Sequence, residues 1–95
     1  MVDRKDLYQW CSVPAEELKR RKDLKVKLRV VKDSAEMGEV MARDLVEEIK
    51  AANRENRECR AIIPCGPKSW YVPFTRMINA EDVSMKNFIG LHMDE

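Results

Sequence analysis

Between Lys25 and Met93 the spacing of apolar residues switches back and forth between strand-like and helix-like periods, and this alternation constrains the fold more than any other feature. Val26, Leu28 and Val30 alternate with Lys25, Lys27 and Arg29, the period-two pattern of a strand with one solvated face. The basic residues of that run read as the water-facing side of the strand. Asp33-Ser34-Ala35-Glu36 follows, an N-cap candidate with a glutamate three positions on that can close a capping-box-like exchange. Met37, Met41, Leu45 and Ile49 then recur every four residues, with Val40 and Ala52 beside them, while Glu39, Arg43, Glu47 and Lys50 fall elsewhere around the wheel. The spacing predicts an amphipathic helix of about five turns with its apolar face in a core.

After the polar break Asn53 to Arg57, the continuous apolar run Ala61-Ile62-Ile63 reads as a strand buried on both faces. Trp70 to Asn79 reads as a second helix with Pro73 in its first turn, where a missing amide hydrogen costs little. Asn87 to Met93 reads as a third strand, entered after Val83 and Ser84. The order β-α-β-α-β implies parallel pairing through crossovers, hence a partial doubly wound, Rossmann-like α/β sheet. The strand ends then share one edge, where function gathers in such sheets. Residues 1–23 form an N-terminal extension, with a helix start at Pro14-Ala15-Glu16-Glu17-Leu18. Residues 24–95 form one α/β domain, since 95 residues leave no room for a second.

Lys and Arg number 18 against 17 Asp and Glu, a net charge of +1 that supplies no global field for nucleic acid or an anionic membrane. The chain has no apolar run of roughly 20 residues, and its start lacks the apolar core of a secretory signal. A cytoplasmic location is expected. Cys11, Cys59 and Cys65 make no Cys-x-x-Cys pair, which points to reduced thiols. Neither a G-x-G-x-x-G nor a Walker lysine is present, so no nucleotide cofactor is expected.

Two segments fall on the functional edge. Cys65-Gly66-Pro67-Lys68-Ser69 can offer backbone amides, the Ser69 hydroxyl and the Lys68 ammonium to a phosphate, or it can be a plain turn. Asp94-Glu95 can supply a base that moves a proton next to a carbonyl, or it can be a solvated acidic pair. His92 and Asp94 point to the same side of a strand, but one imidazole and two carboxylates without a second cluster argue against a metal. A nucleophilic Cys65 would need a base, and only His92 is at hand, so buried structural cysteine is the expectation. Trp10, Trp70, Tyr71 and Phe74 are too scattered for a base-stacking platform. The Trp70-Tyr71 pair reads as packing for the second helix.

The segment from Val83 to Glu95, V-S-M-K-N-F-I-G-L-H-M-D-E, resembles the V-S-x-K, strand, M-D-E stretch of glucosamine-6-phosphate deaminases. Upstream, the strand, long helix, apolar strand into Pro-x-Gly and second helix occur in the same order. The resemblance runs from about Lys25 to Glu95. It implies that Asp94 is the proton acceptor in the aldose to ketose isomerisation of an amino sugar phosphate, with Glu95 its motif neighbour. It implies further that ammonia is released to leave fructose 6-phosphate, that Gly66, Lys68 and Ser69 lie near the phosphate, and that no cofactor takes part. The phosphate loop departs from the family's hydroxyl-rich pattern, and only Gly66 fits it cleanly. The family's ring-opening histidine, its acidic partners and its phosphate lysine lie downstream of M-D-E. The resemblance therefore implies the N-terminal portion of an enzyme that is a homo-oligomer in full-length form, with these 95 residues inactive alone. Two other readings stay open: a non-catalytic sugar-phosphate-binding or association module, and a related sugar phosphate isomerase or lactonase.

Overall fold

The computed structural model describes residues 1–94. Its longest element, Ser34–Arg54, follows α1 (Arg4–Cys11) and α2 (Ala15–Arg20) and is α3. Asp33 starts it from extended backbone, accepting the Glu36 N–H on Oδ1 at 2.8 Å, while Glu36 Oε2 accepts the Lys32 N–H at 2.7 Å. The expected capping exchange is thus present, reaching back one residue beyond the cap. α3 ends where Asn56 turns to φ 53° and the Arg57 N–H returns to the Ala52 carbonyl at 3.0 Å. α4 (Tyr71–Ala80) ends the same way, with Asp82 at φ 49° and the Val83 N–H on Ile78 O at 3.0 Å. Short polar side chains tolerate this left-handed stop, and Val83 turns inward against the core.

β1 (Cys59–Ile63) and β2 (Phe88–His92) pair in parallel, Cys59 opposite Phe88 and Ile63 opposite His92, with α4 as the connection between them. The chain therefore combines helices with a small parallel sheet. Ala42, Val46, Trp70 and Met77 form one apolar cluster, and Ile49, Ala52 and Cys59 a second, with Leu45, Phe74, Ile78 and Val83 packed against both. The buried line of α3 is Gly38, Ala42, Val46, Ile49 and Ala52, while Met37 is exposed. The line of large apolar residues read from the sequence is rotated by about one residue, because the small Gly38 and Ala42 give the closest approach. Asn53 Nδ2 donates to Ser84 O at 2.9 Å, and Asn87 Nδ2 to Asn53 Oδ1 at 3.3 Å, tying the end of α3 to the entry of β2.

Two expectations are corrected. Residues 24–31 form no strand: among the described residues the only ladder is β1–β2, and alternation makes a strand only where an edge accepts its backbone. β1 is buried on one face, not two, since Arg60 and Ile62 are exposed while Cys59 faces the helices. The described helices α3 and α4 contribute to the same clusters, so the other face has no cover from them.

The chain divides into two compact units, Met1–Val30 and a second beginning at Val31. In the first, Asp3 caps α1 by accepting the Lys5 N–H at 2.7 Å, and Pro14 precedes α2. Neither helix has a buried residue. No described helix is long and apolar enough to cross a membrane.

In the second unit Glu81, just past α4, accepts from Arg43 at 2.8 Å and Lys50 at 2.9 Å on α3. Hydrogen bonds first from Arg43 and then from Lys50 hold its carboxyl down at about 2. A carboxylate depressed by folding adds stability above its unfolded range and loses it as pH falls. Thermal melts across pH should therefore show wild type more stable than Glu81→Gln near pH 7, with the gap closing between pH 4.5 and about 2; a gap independent of pH would refute the linkage.

Candidate active site at the sheet edge

Parallel pairing puts the exits of β1 and β2 side by side. One further ladder bond, Met93 N–H to Ile63 O at 2.9 Å, carries the pairing past β2. Pro64 then ends β1's hydrogen bonding, and the chain turns through residues 64–70 into α4. At this exit Cys65 and Asp94 meet. The Cys65 N–H donates to Asp94 Oδ1 at 2.9 Å, and the Cys65 thiol donates to the Asp94 carbonyl at 3.3 Å. The Tyr71 hydroxyl, at the start of α4, donates back to Cys65 O at 3.3 Å. Loop and acid are thus held from both sides.

These contacts set the protonation of both groups. The Cys65 N–H, followed by its thiol, holds the Asp94 carboxyl below the ordinary aspartate range, and the charge of nearby His92 acts in the same direction. Desolvation, followed by the hydrogen bond and negative charge of Asp94, pushes the Cys65 thiol up. Asp94 is therefore ionised and Cys65 a protonated thiol at neutral pH. Cys65 is half-buried, not the buried structural cysteine expected; Cys59 on β1 fills that role. No group of His, Cys, Asp and Glu among the described residues gathers in a way that could hold a metal ion.

Of the other residues singled out from sequence, Gly66 and Lys68 are exposed and Ser69 is half-buried, all on the loop between Cys65 and α4. None of them hydrogen-bonds Asp94 among the described residues. Glu95 lies outside the described residues. Trp70 is buried in the core and meets Tyr71 and Phe74 edge-on, with ring centroids 4.7 and 5.5 Å away. Its buried indole Nε1 has no hydrogen-bond partner among the described residues. Along β1 runs a mainly apolar groove of about 380 Å³, lined by Met41, Leu45, Ile63 and Trp70, with Asp44 and Glu48 at its margin.

Gly38 and Tyr71 position the loop, and neither role was read from sequence. A Cβ on Gly38 would lie 2.6 Å from the Ser69 carbonyl carbon, so α3 touches the loop backbone only because this side chain is absent. A glycine inside an otherwise strong helix was the available signal. Tyr71 offered none, because its hydroxyl acts on a carbonyl six residues away.

Comparison of the chain with protein-family models, with curated proteins and with solved structures finds no match. What the site can do rests on its own chemistry: an ionised carboxylate held on a backbone amide at the exit of a parallel sheet, beside a loop that opens a helix.

Alanine favours helices over glycine by about 1 kcal/mol, yet Gly38→Ala should lower stability by about 1–3 kcal/mol through overpacking against Ser69. Chemical denaturation measures this, and a stabilised variant would show that the close approach is not required.

Proposed function

We propose that this edge is the proton-transfer site of a glucosamine-6-phosphate deaminase-type reaction on an amino sugar phosphate. The observation that carries the reading is the Cys65 N–H to Asp94 Oδ1 bond of 2.9 Å, which joins the candidate phosphate loop to the candidate base. In this reading Asp94 takes the proton from C2 of the open-chain sugar and returns it to C1. Water then replaces the amine, leaving ammonia and fructose 6-phosphate. Gly66 and the loop amides, Lys68 and Ser69 meet the phosphate in the loop that leads into α4, with the Lys68 ammonium as its counter-charge. Glu95 follows as the motif neighbour.

The ionised state of Asp94 supports a proton acceptor, though a depressed carboxyl is a weak one. Substrate that displaces water from the edge raises its basicity, because burial disfavours the charged form. The protonated Cys65 thiol fits a supporting role better than a nucleophilic one. The same reading places the protein in the cytoplasm and the β1–α4–β2 unit within a Rossmann-like parallel sheet.

The native full-length product is the form to assay. Asp94→Asn should lower ammonia release from glucosamine 6-phosphate by about 100-fold or more, the scale of a lost general base, and an undiminished rate would remove Asp94 from the chemistry.

A further inference from the structure

The charges that nearly cancel over the whole chain do not cancel within its two units. Residues 1–30 carry nine Lys and Arg against five Asp and Glu, a net charge of +4, which leaves −3 for residues 31–95. Residues 1–30 also hold their apolar side chains outside: none of the thirty is buried, and only Val13 and Leu18 are half-buried. On α1 the exposed Leu7, Tyr8 and Trp10 lie to one side of the helix and Lys5 and Gln9 to the other. After α2, Leu24, Val26, Leu28 and Val30 line one groove of about 360 Å³ together with Leu18, and Lys19, Arg21 and Lys22 border it. The intervening Lys25, Lys27 and Arg29 lie outside that groove. Lys19 pairs with Glu16 at 3.1 Å and Arg21 with Asp23 at 2.8 Å, whereas Lys22, Lys25 and Lys27 have no ion pair among the described residues.

We infer that residues 1–30 dock on the surface of an anionic phospholipid bilayer, with Leu24, Val26, Leu28 and Val30 at the acyl boundary and Lys22, Lys25 and Lys27 at headgroup level. A segment with an apolar strip on one side and cations on the other lies in the interface in this way, and each lysine held near an anionic leaflet adds to the attraction. Tyr8 and Trp10, 68% and 60% exposed, suit the same depth, because each ring has an apolar body and one polar group. The unpaired cations fix the sign of the partner, and the apolar side chains fix its kind. Nucleic acid would answer the charge but would leave Val26, 75% exposed, and its neighbours in water. A folded acidic protein would need a surface of fixed shape to fit, and a segment without a buried residue has no packed interior to fix one. A fluid bilayer makes no such demand. The inference does not depend on the proposed reaction.

The 95-residue protein should co-sediment with vesicles of phosphatidylcholine and phosphatidylserine mixed at about 3:1 in about 0.1 M salt, and at least about tenfold less with phosphatidylcholine alone. Raising the salt to about 0.5 M should release it. Lys22→Gln, Lys25→Gln and Lys27→Gln together should weaken partitioning on the order of 100-fold. Val26→Ser with Leu28→Ser should weaken it roughly tenfold although every cation is kept. All five positions are exposed, so the thermal melt of each variant should match wild type and show that the fold is intact. Trp10 emission should shift to the blue on binding, and Trp10→Phe, which leaves only the buried Trp70, should lose that shift. No binding to the mixed vesicles, equal binding to phosphatidylcholine alone, or undiminished binding by the triple lysine variant would overturn the inference. Tighter binding to poly-glutamate or to single-stranded DNA than to the mixed vesicles would overturn it too, and would assign the cations to an acidic protein or to nucleic acid.

Discussion

Parallel pairing of β1 with β2 is the constraint on which the second unit depends. Two parallel strands cannot be joined by a tight turn, so the chain leaving β1 at Ile63 must travel back before entering β2 at Phe88. α4 makes that return, and its apolar side has to be buried against something. α3 supplies the surface: Val46 and Ala42 meet Trp70 and Met77, and Ile49 and Ala52 meet Cys59 under β1. The left-handed stops at Asn56 and Asp82 turn the chain sharply at both helix ends. The cluster of Arg43, Lys50 and Glu81 then binds the end of α4 to the side of α3.

The same constraint creates the site. Because the strands run the same way, their exits coincide, and an amide just past β1 can reach a carboxylate just past β2. An antiparallel pair would have put those residues at opposite ends of the sheet. Gly38 adds precision from the other side by letting the first turns of α3 rest on the Ser69 backbone. The loop is thus bounded by α3 and Asp94, both distant in sequence, and by the Tyr71 hydroxyl at its own end.

What could be read in advance follows from how local each feature is. The helix at Ser34 was legible because its cap, its acidic first turn and its apolar period all lie within one segment, and α4 because its apolar residues follow a proline that sits in the first turn. Residues 24–31 carry an equally clear strand pattern, yet a strand is completed by a neighbouring backbone that the pattern does not contain. The double burial expected of Ala61-Ile62-Ile63 failed because an apolar run reports what a strand can tolerate, whereas the layers present decide what is covered. Asp94 and the loop were legible as residues at a shared edge. Their hydrogen bond, the Tyr71 strap and the Gly38 contact depend on three-dimensional placement that spacing cannot carry.

One-sided coverage and the ionised acid bear on each other. An acid that accepts a backbone N–H beside open water is stable as a carboxylate and gains little by taking a proton. For Asp94 to act as a base, something must raise its proton affinity without breaking the Cys65 bond that positions it. Excluding water does this, because desolvation acts against the charge while leaving the geometry in place. The thiol of Cys65 is suited to such a change, since it stays protonated and keeps donating to the Asp94 carbonyl as the surroundings become less polar.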